Sequence, residues 1–398
     1  MRPRTRLAAT LLPVGALLLA WAPNTSAIDA WDGRLRIGGE LSGTISPVDR
    51  GFFNYSSYEL SSLRLFRASV SAEVQPVSSL ALLVELRSDN LHAPEIDALY
   101  VRFRPWPKRV FDIQAGEVPP VFGAFARRRY ASAEVLPGVP LAFQYLTSLR
   151  ADAVPRNADE LLSQRARGWS PSYELATNSK AAGLPFMDAG RWDVGVEARA
   201  GSGPIEIAAA LTQGSLSRPG ASDDGGQKQL AARLAWHPSP AWTLGLSAAR
   251  GEYLTGEAVA RFASSHPAHQ AAWGADVEYS RGHLILQGEA IWSQWELPAL
   301  AAPLIAAPVS GRGGFAELRY KIAPGLTLAA RGEHLSFSRV NTSAGIESWE
   351  APVSRLEVGL KYALRPRVSL KAAFQGNWRD AGRVRQENLV SAQVLLWF

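Results

Sequence analysis

The sequence predicts an all-β chain: a transmembrane, antiparallel, up-and-down β-barrel of about 16 strands, with a long third loop folded into the lumen. Three observations carry that prediction. Segments of about 10–13 residues alternate apolar with polar side chains at period 2. The links between them alternate short and long. One long stretch, 118–190, breaks the alternation after the fifth segment and is rich in Pro, Gly and Arg.

The segments run in order as follows. Arg34–Leu41 is the first. Phe66, Ala68, Val70, Ala72 and Val74 alternate with Arg67, Ser69, Ser71, Glu73 and Gln75 in the second. Leu80, Leu82, Val84 and Leu86 mark the third, Leu99, Val101 and Phe103 the fourth, and Phe111, Ile113 and Ala115 the fifth. After the insert, Val194, Val196 and Ala198 oppose Asp193, Glu197 and Arg199 in the sixth. The seventh to eleventh stripes start at Ile205, Leu230, Trp242, Trp273 and Leu284. The twelfth sets Ala316, Leu318, Tyr320 and Ile322 against Glu317, Arg319 and Lys321. The remaining four start at Leu326, Leu356, Leu370 and Asn388. Sixteen is even, as a single-chain bacterial barrel requires; boundary error of about 2–4 residues leaves 14 or 18 as neighbouring counts.

The links give an independent signal. Those after even segments are short and turn-rich, such as His237-Pro238-Ser239-Pro240, Ser280-Arg281-Gly282-His283 and Ala323-Pro324-Gly325. Those after odd segments are mostly long: 46–61, 214–227, 255–269, 298–311 and 339–352. Alternating short and long links match the two ends of a membrane barrel.

Bulk composition narrows the alternatives. The 398 residues contain no cysteine, which excludes disulfides, cysteine-zinc sites and thiol chemistry. Residues 1–27 read as a secretory signal: Arg2, Arg4 and Arg6, then an apolar run from Leu7 to Ala22, then Thr25-Ser26-Ala27. That run falls short of the roughly 20 residues of a spanning helix, and no later run reaches about 18. Domain organisation is therefore a signal, 1–27, and a barrel, 28–398. Removing the three signal arginines from 42 basic residues leaves 39 against 36 acids, so the mature chain is only +3 and gives no argument for nucleic acid.

A membrane follows from the charged parity. Arg, Lys, Asp and Glu recur along it, and burying them in a dry core would cost several kcal/mol each. A barrel of about 16 strands encloses water instead. Every backbone group is also paired in a closed barrel, as lipid demands. Trp236 and Trp242 flank one short turn, Trp106 sits in another, and Tyr279, Tyr320, Tyr362 and Trp292 fall near segment ends, as an interfacial girdle would.

The chain ends Leu395-Leu396-Trp397-Phe398. Here it resembles bacterial outer-membrane proteins, whose last strand alternates hydrophobics and closes on a Phe. The resemblance implies that Phe398 is the signal read by the barrel-assembly machinery. The stretch Val110–Gly123, VFDIQAGEVPPVFG, is similar to substrate-preferring porins, where a Gly-bearing strand leads through a Pro-Phe-Gly corner into the third loop. In that superfamily the third loop narrows the pore. The resemblance implies passive diffusion of small hydrophilic solutes or ions through the outer membrane of a Gram-negative cell. It also implies contact with outer-membrane lipid and lipopolysaccharide, and a homotrimer as one assembly. The insert is longer than a typical constriction loop, so a plug or partly external lid stays open beside it.

The insert carries eight basic residues against six acids, with Arg127, Arg128 and Arg129 in a row. Rings of Arg or Lys select anions. Facing Arg102 and Arg104, these three arginines form the expected pore constriction, with an anion lean. Catalytic patterns are absent: no Gly-x-Ser-x-Gly elbow, phosphate loop or dinucleotide fingerprint occurs. His266-Pro-Ala-His269 lies in an expected surface loop with no acid triplet, and Gly332-Glu333-His334 lacks a second His. No metal, no cofactor and no enzyme activity is expected. The other class kept open is a plugged structural or adhesive barrel acting through its surface loops.

Overall fold

The computed structural model describes residues 28–398, apart from 58, 107–109, 129, 177–180, 221–227, 263–267 and 299. The signal-like 1–27 and His266 therefore lie outside the described residues. Sixteen strands form the barrel: β1 Leu35–Ile45, β2 Phe66–Val77, β3 Leu80–Asp89, β4 Glu95–Phe103, β5 Val110–Val118, β6 Asp193–Ser202, β7 Ile205–Thr212 and β8 Gln229–Ser239, followed by β9 Trp242–Glu252, β10 His269–Arg281, β11 Leu284–Trp295, β12 Val309–Ala323, β13 Leu326–Phe337, β14 Val353–Arg365, β15 Val368–Arg379 and β16 Gln386–Trp397. Each pairs antiparallel with its neighbours in sequence. The ring closes where β16 pairs with β1, from Ala392↔Ile45 to Trp397↔Glu40. A closed ring leaves no strand edge unpaired.

The seam is finished by the last residue. Phe398 donates its N–H to the Gly39 carbonyl at 3.0 Å, and Gly39 donates to the Phe398 carbonyl at 3.1 Å. A Cβ on Gly39 would stand 2.7 Å from the Phe398 ring, so only glycine admits the ring there.

The barrel is apolar outside and polar within. Leu230 and Val390 are 63% and 60% exposed, whereas Glu357 and Arg331 are 0% and 1% exposed. That inverts a soluble protein and follows from the period-2 alternation, because successive side chains point to opposite faces.

Two expectations need correction. The link between β3 and β4 follows an odd strand yet is short, only 90–94, because Asn90 and Leu91 both take the left-handed conformation (φ 53° and 63°) and turn the chain tightly. The fourth strand also starts earlier than its apolar stripe, at Glu95, across an irregularity at Glu85/Leu86 of β3. Some long links carry structure of their own. Helix Gly256–Phe262 follows β9, and a small hairpin, Arg339–Thr342 with Gly345–Ser348, stands between β13 and β14.

Candidate functional site

The insert leaves β5 through a corner that two glycines make. Gly116 has φ +127°, and a Cβ there would run into the Leu99 carbonyl. Gly123 has φ +69°, and a Cβ there would meet the Glu289 carboxylate. Beyond the corner the segment is not structureless. It holds a 3-10 turn at Ala126–Arg128 and two short helices, Leu141–Gln144 and Ala158–Ser163, the second capped by Asn157.

Most of its backbone has no strand or helix to satisfy it, and a buried N–H or C=O needs a partner. Inward-facing side chains of the barrel supply them. Gly123 N–H donates to Ser247 of β9 at 3.0 Å, and the Ala124 and Phe125 N–H groups donate to Glu289 of β11 at 3.1 and 3.0 Å. Tyr130 gives its hydroxyl proton to Glu85 of β3 at 2.6 Å. The Ala131 and Ser132 N–H groups donate to Glu40 of β1 at 2.9 and 2.8 Å.

The run 131–141 is held almost atom by atom. Lys371 donates to the Ala131 carbonyl at 2.7 Å and Lys361 to the Ser132 carbonyl at 2.6 Å. Arg319 donates to the Ala133 carbonyl at 3.0 Å and pairs with Glu134. Gly138 donates to Glu357 at 3.1 Å and accepts from Arg331 at 2.6 Å. Arg355 donates to the Val139 carbonyl at 3.1 Å, and Leu141 N–H donates to Glu333 at 2.5 Å. With Gln270 of β10 reaching the Phe186 carbonyl and Arg127 beside Glu197 of β6, the insert meets ten of the sixteen strands by polar contacts.

Arg331 is the node of this wall. It lies 3.1 Å from Glu317, 2.9 Å from Glu333 and 2.5 Å from Glu357, one carboxylate on each side and one on its own strand. Such a buried charge persists only because pairing and hydrogen bonds offset the loss of water. The inner wall of β7–β10 is built differently. Ala208, Ala210, Ala231, Ala249 and Ala272 on β7–β10 are buried and small, and Gly274 lies under Phe122. Towards the long-loop end the contacts turn dry. Phe186 packs edge-on against Trp295 and Phe337, over Gly311 and Gly313. Glu350, in the link before β14, accepts from the Ser148, Ala166 and Ala351 N–H groups at 2.7 Å each. Burial pushes its carboxyl above the ordinary range.

Of the five expected constriction residues, Arg102, Arg104 and Arg127 are described, each beside a carboxylate of β2, β5 or β6. Arg102 bonds Glu73 at 2.6 Å and Arg104 bonds Asp112 at 3.0 Å. Arg127 donates to the Pro120 carbonyl at 2.9 Å and lies 3.5 Å from Glu197. Burial, with Arg199 next in weight, lowers the Arg127 guanidinium to about 10. Arg129, and the side chain of Arg128, lie outside what is described. Arg199, which sequence reasoning left unassigned, shares Glu197 with Arg127. Its place on the polar parity of β6 was the available signal. The mounting residues Arg319, Arg331, Arg355, Lys361 and Lys371 were also missed; their signal was the density of both charge signs on the inner parity of β12–β15. His269 sits 3.2 Å from Glu296, and among the described residues no group of three metal-ligating side chains occurs.

No family model matches this chain, and no curated protein does. Solved structures do. The chain is similar to Salmonella typhi OmpF in complex with daunomycin (TM-score 0.56, 10% identity, covering 92% of this chain and 97% of that one). It is similar to an anion-selective porin from Comamonas acidovorans (0.54, 11%, 92% and 99%). It is also similar to OmpT, an outer-membrane protein of Vibrio cholerae, in its trimer form (0.52, 9%, 92% and 99%). In fold the chain is a closed β-barrel like those porins.

Proposed function

We propose that this chain is a narrow channel through the outer membrane, passing small hydrophilic solutes or ions by diffusion, with residues 118–190 as a fixed constriction. The observation that carries the proposal is the paired charge of the inner wall. The pairs Arg67–Asp89, Arg102–Glu73 and Arg104–Asp112 keep partly exposed charges on it, which suits water rather than a solid core. An anion lean rests on the cluster Arg102, Arg104, Arg127 and Arg199 against Glu73, Asp112 and Glu197. The similar porin from Comamonas acidovorans is described as anion-selective, which agrees with that sign. The test is the reversal potential of the refolded protein in a planar bilayer under a potassium chloride gradient. Anion-leaning reversal supports the cluster; cation-leaning reversal discards it and keeps the channel.

A plugged barrel acting through its surface loops is the second reading. The ten-strand mounting of the insert favours it. Absence of any current from a correctly folded, heat-modifiable barrel would decide for it.

Assembly as a homotrimer rests on the outer surface. Every outward-facing Trp and Tyr of the barrel strands lies on β8–β15: Trp236, Trp242, Trp273, Tyr279, Trp292, Tyr320, Tyr362 and Trp378. The half from β16 through β7 presents aliphatic residues such as Val70, Leu82, Val196 and Ile207. An aromatic girdle marks contact with lipid headgroups. A half poor in aromatics, with Phe103 on β4 and Trp106 in the next turn, suits contact with further copies of the chain, leaving β8–β15 to lipid and lipopolysaccharide. Phe398, seated in the seam, serves as the assembly signal.

A further inference from the structure

The insert does not use the inner wall evenly. On β11–β15 the inward side chains that meet it are shut away from solvent, Glu289, Glu333, Arg355 and Gln375 all being buried, and Ser391 on β16 is buried too. On β2 the opposite holds. Arg67, Ser69, Ser71, Glu73 and Gln75 all point inward, and all are partly exposed. Among the described residues, β2 is the one barrel strand with no buried inward side chain. Because β2 crosses the whole wall, its exposed stripe reaches from the long-loop end to the short-turn end.

The polar contacts of this stripe run sideways along the wall. Arg67 bonds Asp89 of β3 at 2.7 Å, and Glu73 accepts from Arg102 of β4 at 2.6 Å. Between these two pairs stand only the hydroxyls of Ser69 and Ser71. The insert approaches on both flanks: Tyr130 reaches Glu85, the direct β3 neighbour of Ser71; Ala131 and Ser132 reach Glu40, the β1 neighbour of Ser69; and the Gly190 carbonyl accepts from Arg87, the β3 neighbour of Ser69. A charged pair at each end with small, partly exposed hydroxyls between them makes a wettable groove under the insert, whereas inward side chains of β12–β14 are buried in holding it.

Resting on the channel reading above, we propose that the solute path is eccentric. It runs along the inner face of β2, and Ser71 on the wall with Tyr130 on the insert set its tightest level. Selectivity is then governed by groups beside that groove, Arg67 and Arg102 with their carboxylates. The Arg331 cluster takes no part, because its donors and acceptors are committed to the insert.

The chain has no cysteine, so a single introduced thiol is unambiguous. Ser71→Cys and, on the covered wall, Ser391→Cys are each folded, checked by heat-modifiable mobility, and placed in lipid vesicles. A small, charged, membrane-impermeant methanethiosulfonate is added from one side at a time, and labelling is read by mass. The same variants are recorded as single channels before and after reagent. The expected result is labelling of Ser71→Cys from either side, with loss of current, while Ser391→Cys reacts far more slowly and keeps its current. A folded Ser71→Cys that stays unlabelled, or reacts no faster than Ser391→Cys, overturns the eccentric path. Labelling from both sides without current in the unmodified protein upholds the path and defeats the diffusion-channel reading. Current with an unreactive Ser71→Cys does the reverse.

Discussion

At the scale of single residues, the inner wall shows charge used as mortar. Arg331 touches three carboxylates and one insert carbonyl, so its loss takes the ion pair from Glu333 and Glu357 and leaves Glu317 to Arg319 alone. Breaking a buried pair from one side costs about 3–5 kcal/mol. Arg331→Met is therefore expected to lower the melting temperature and to give larger, noisier current steps as Gly138 loses its anchor. Unchanged steps would show that the node does not hold the insert. Gly39→Val tests the seam. The added carbons collide with the Phe398 ring, so the yield of heat-modifiable barrel should fall while the mutant chain stays exportable. These contacts were not legible in the sequence. Parity places Arg331 and Glu333 on the same face, but nothing in a linear pattern says that Gly138, 193 residues away, lies across from them. The arginine row at 127–129 was conspicuous for the opposite reason: adjacency in sequence is easy to see, while Arg199 needs the fold to join it to Arg127.

At the scale of elements, strands and links obey different physics, and they were legible to different degrees. Every one of the sixteen strands was visible because an apolar outer face and a polar inner face impose a two-residue period. The insert was visible only as a break in that period. Its internal order comes from wall side chains and from packing with other links, both long-range. Glu350 illustrates this: a carboxylate between β13 and β14 ties down turns at Ser148 and Ala166. Removing it strands buried N–H groups at about 1–3 kcal/mol each. Glu350→Ala is accordingly expected to speed cleavage of the folded barrel after Arg165 or Arg167 by added trypsin, read by gel, with the strands themselves protected. Equal cleavage rates in variant and parent would refute the clamp. Gly274→Leu acts on the same insert from the small-residue wall. A Cβ there falls 2.8 Å from the Phe122 ring, so the first turn of the insert must shift, and current should change without loss of barrel mobility.

At the scale of the whole molecule, two asymmetries divide the barrel lengthwise. Outside, Trp and Tyr cover β8–β15, whereas the strands from β16 through β7 carry only phenylalanines such as Phe103, with Trp106 in the turn after β4. Inside, the charged mount occupies β11–β15 and the solvent-lined stripe lies on β2. The half without Trp or Tyr on its strands thus carries the groove, so in an assembly of copies the paths would sit near the shared axis and the mounts near the lipid. The central claim is that a barrel holding so large an insert still conducts. Single-channel recording of the refolded, unmodified protein in a planar bilayer tests it most directly. Small, stable, ohmic steps are the predicted result, as expected of an eccentric groove beside a fixed insert. Silence from protein that has passed the heat-modifiability check would contradict it and make the insert a plug.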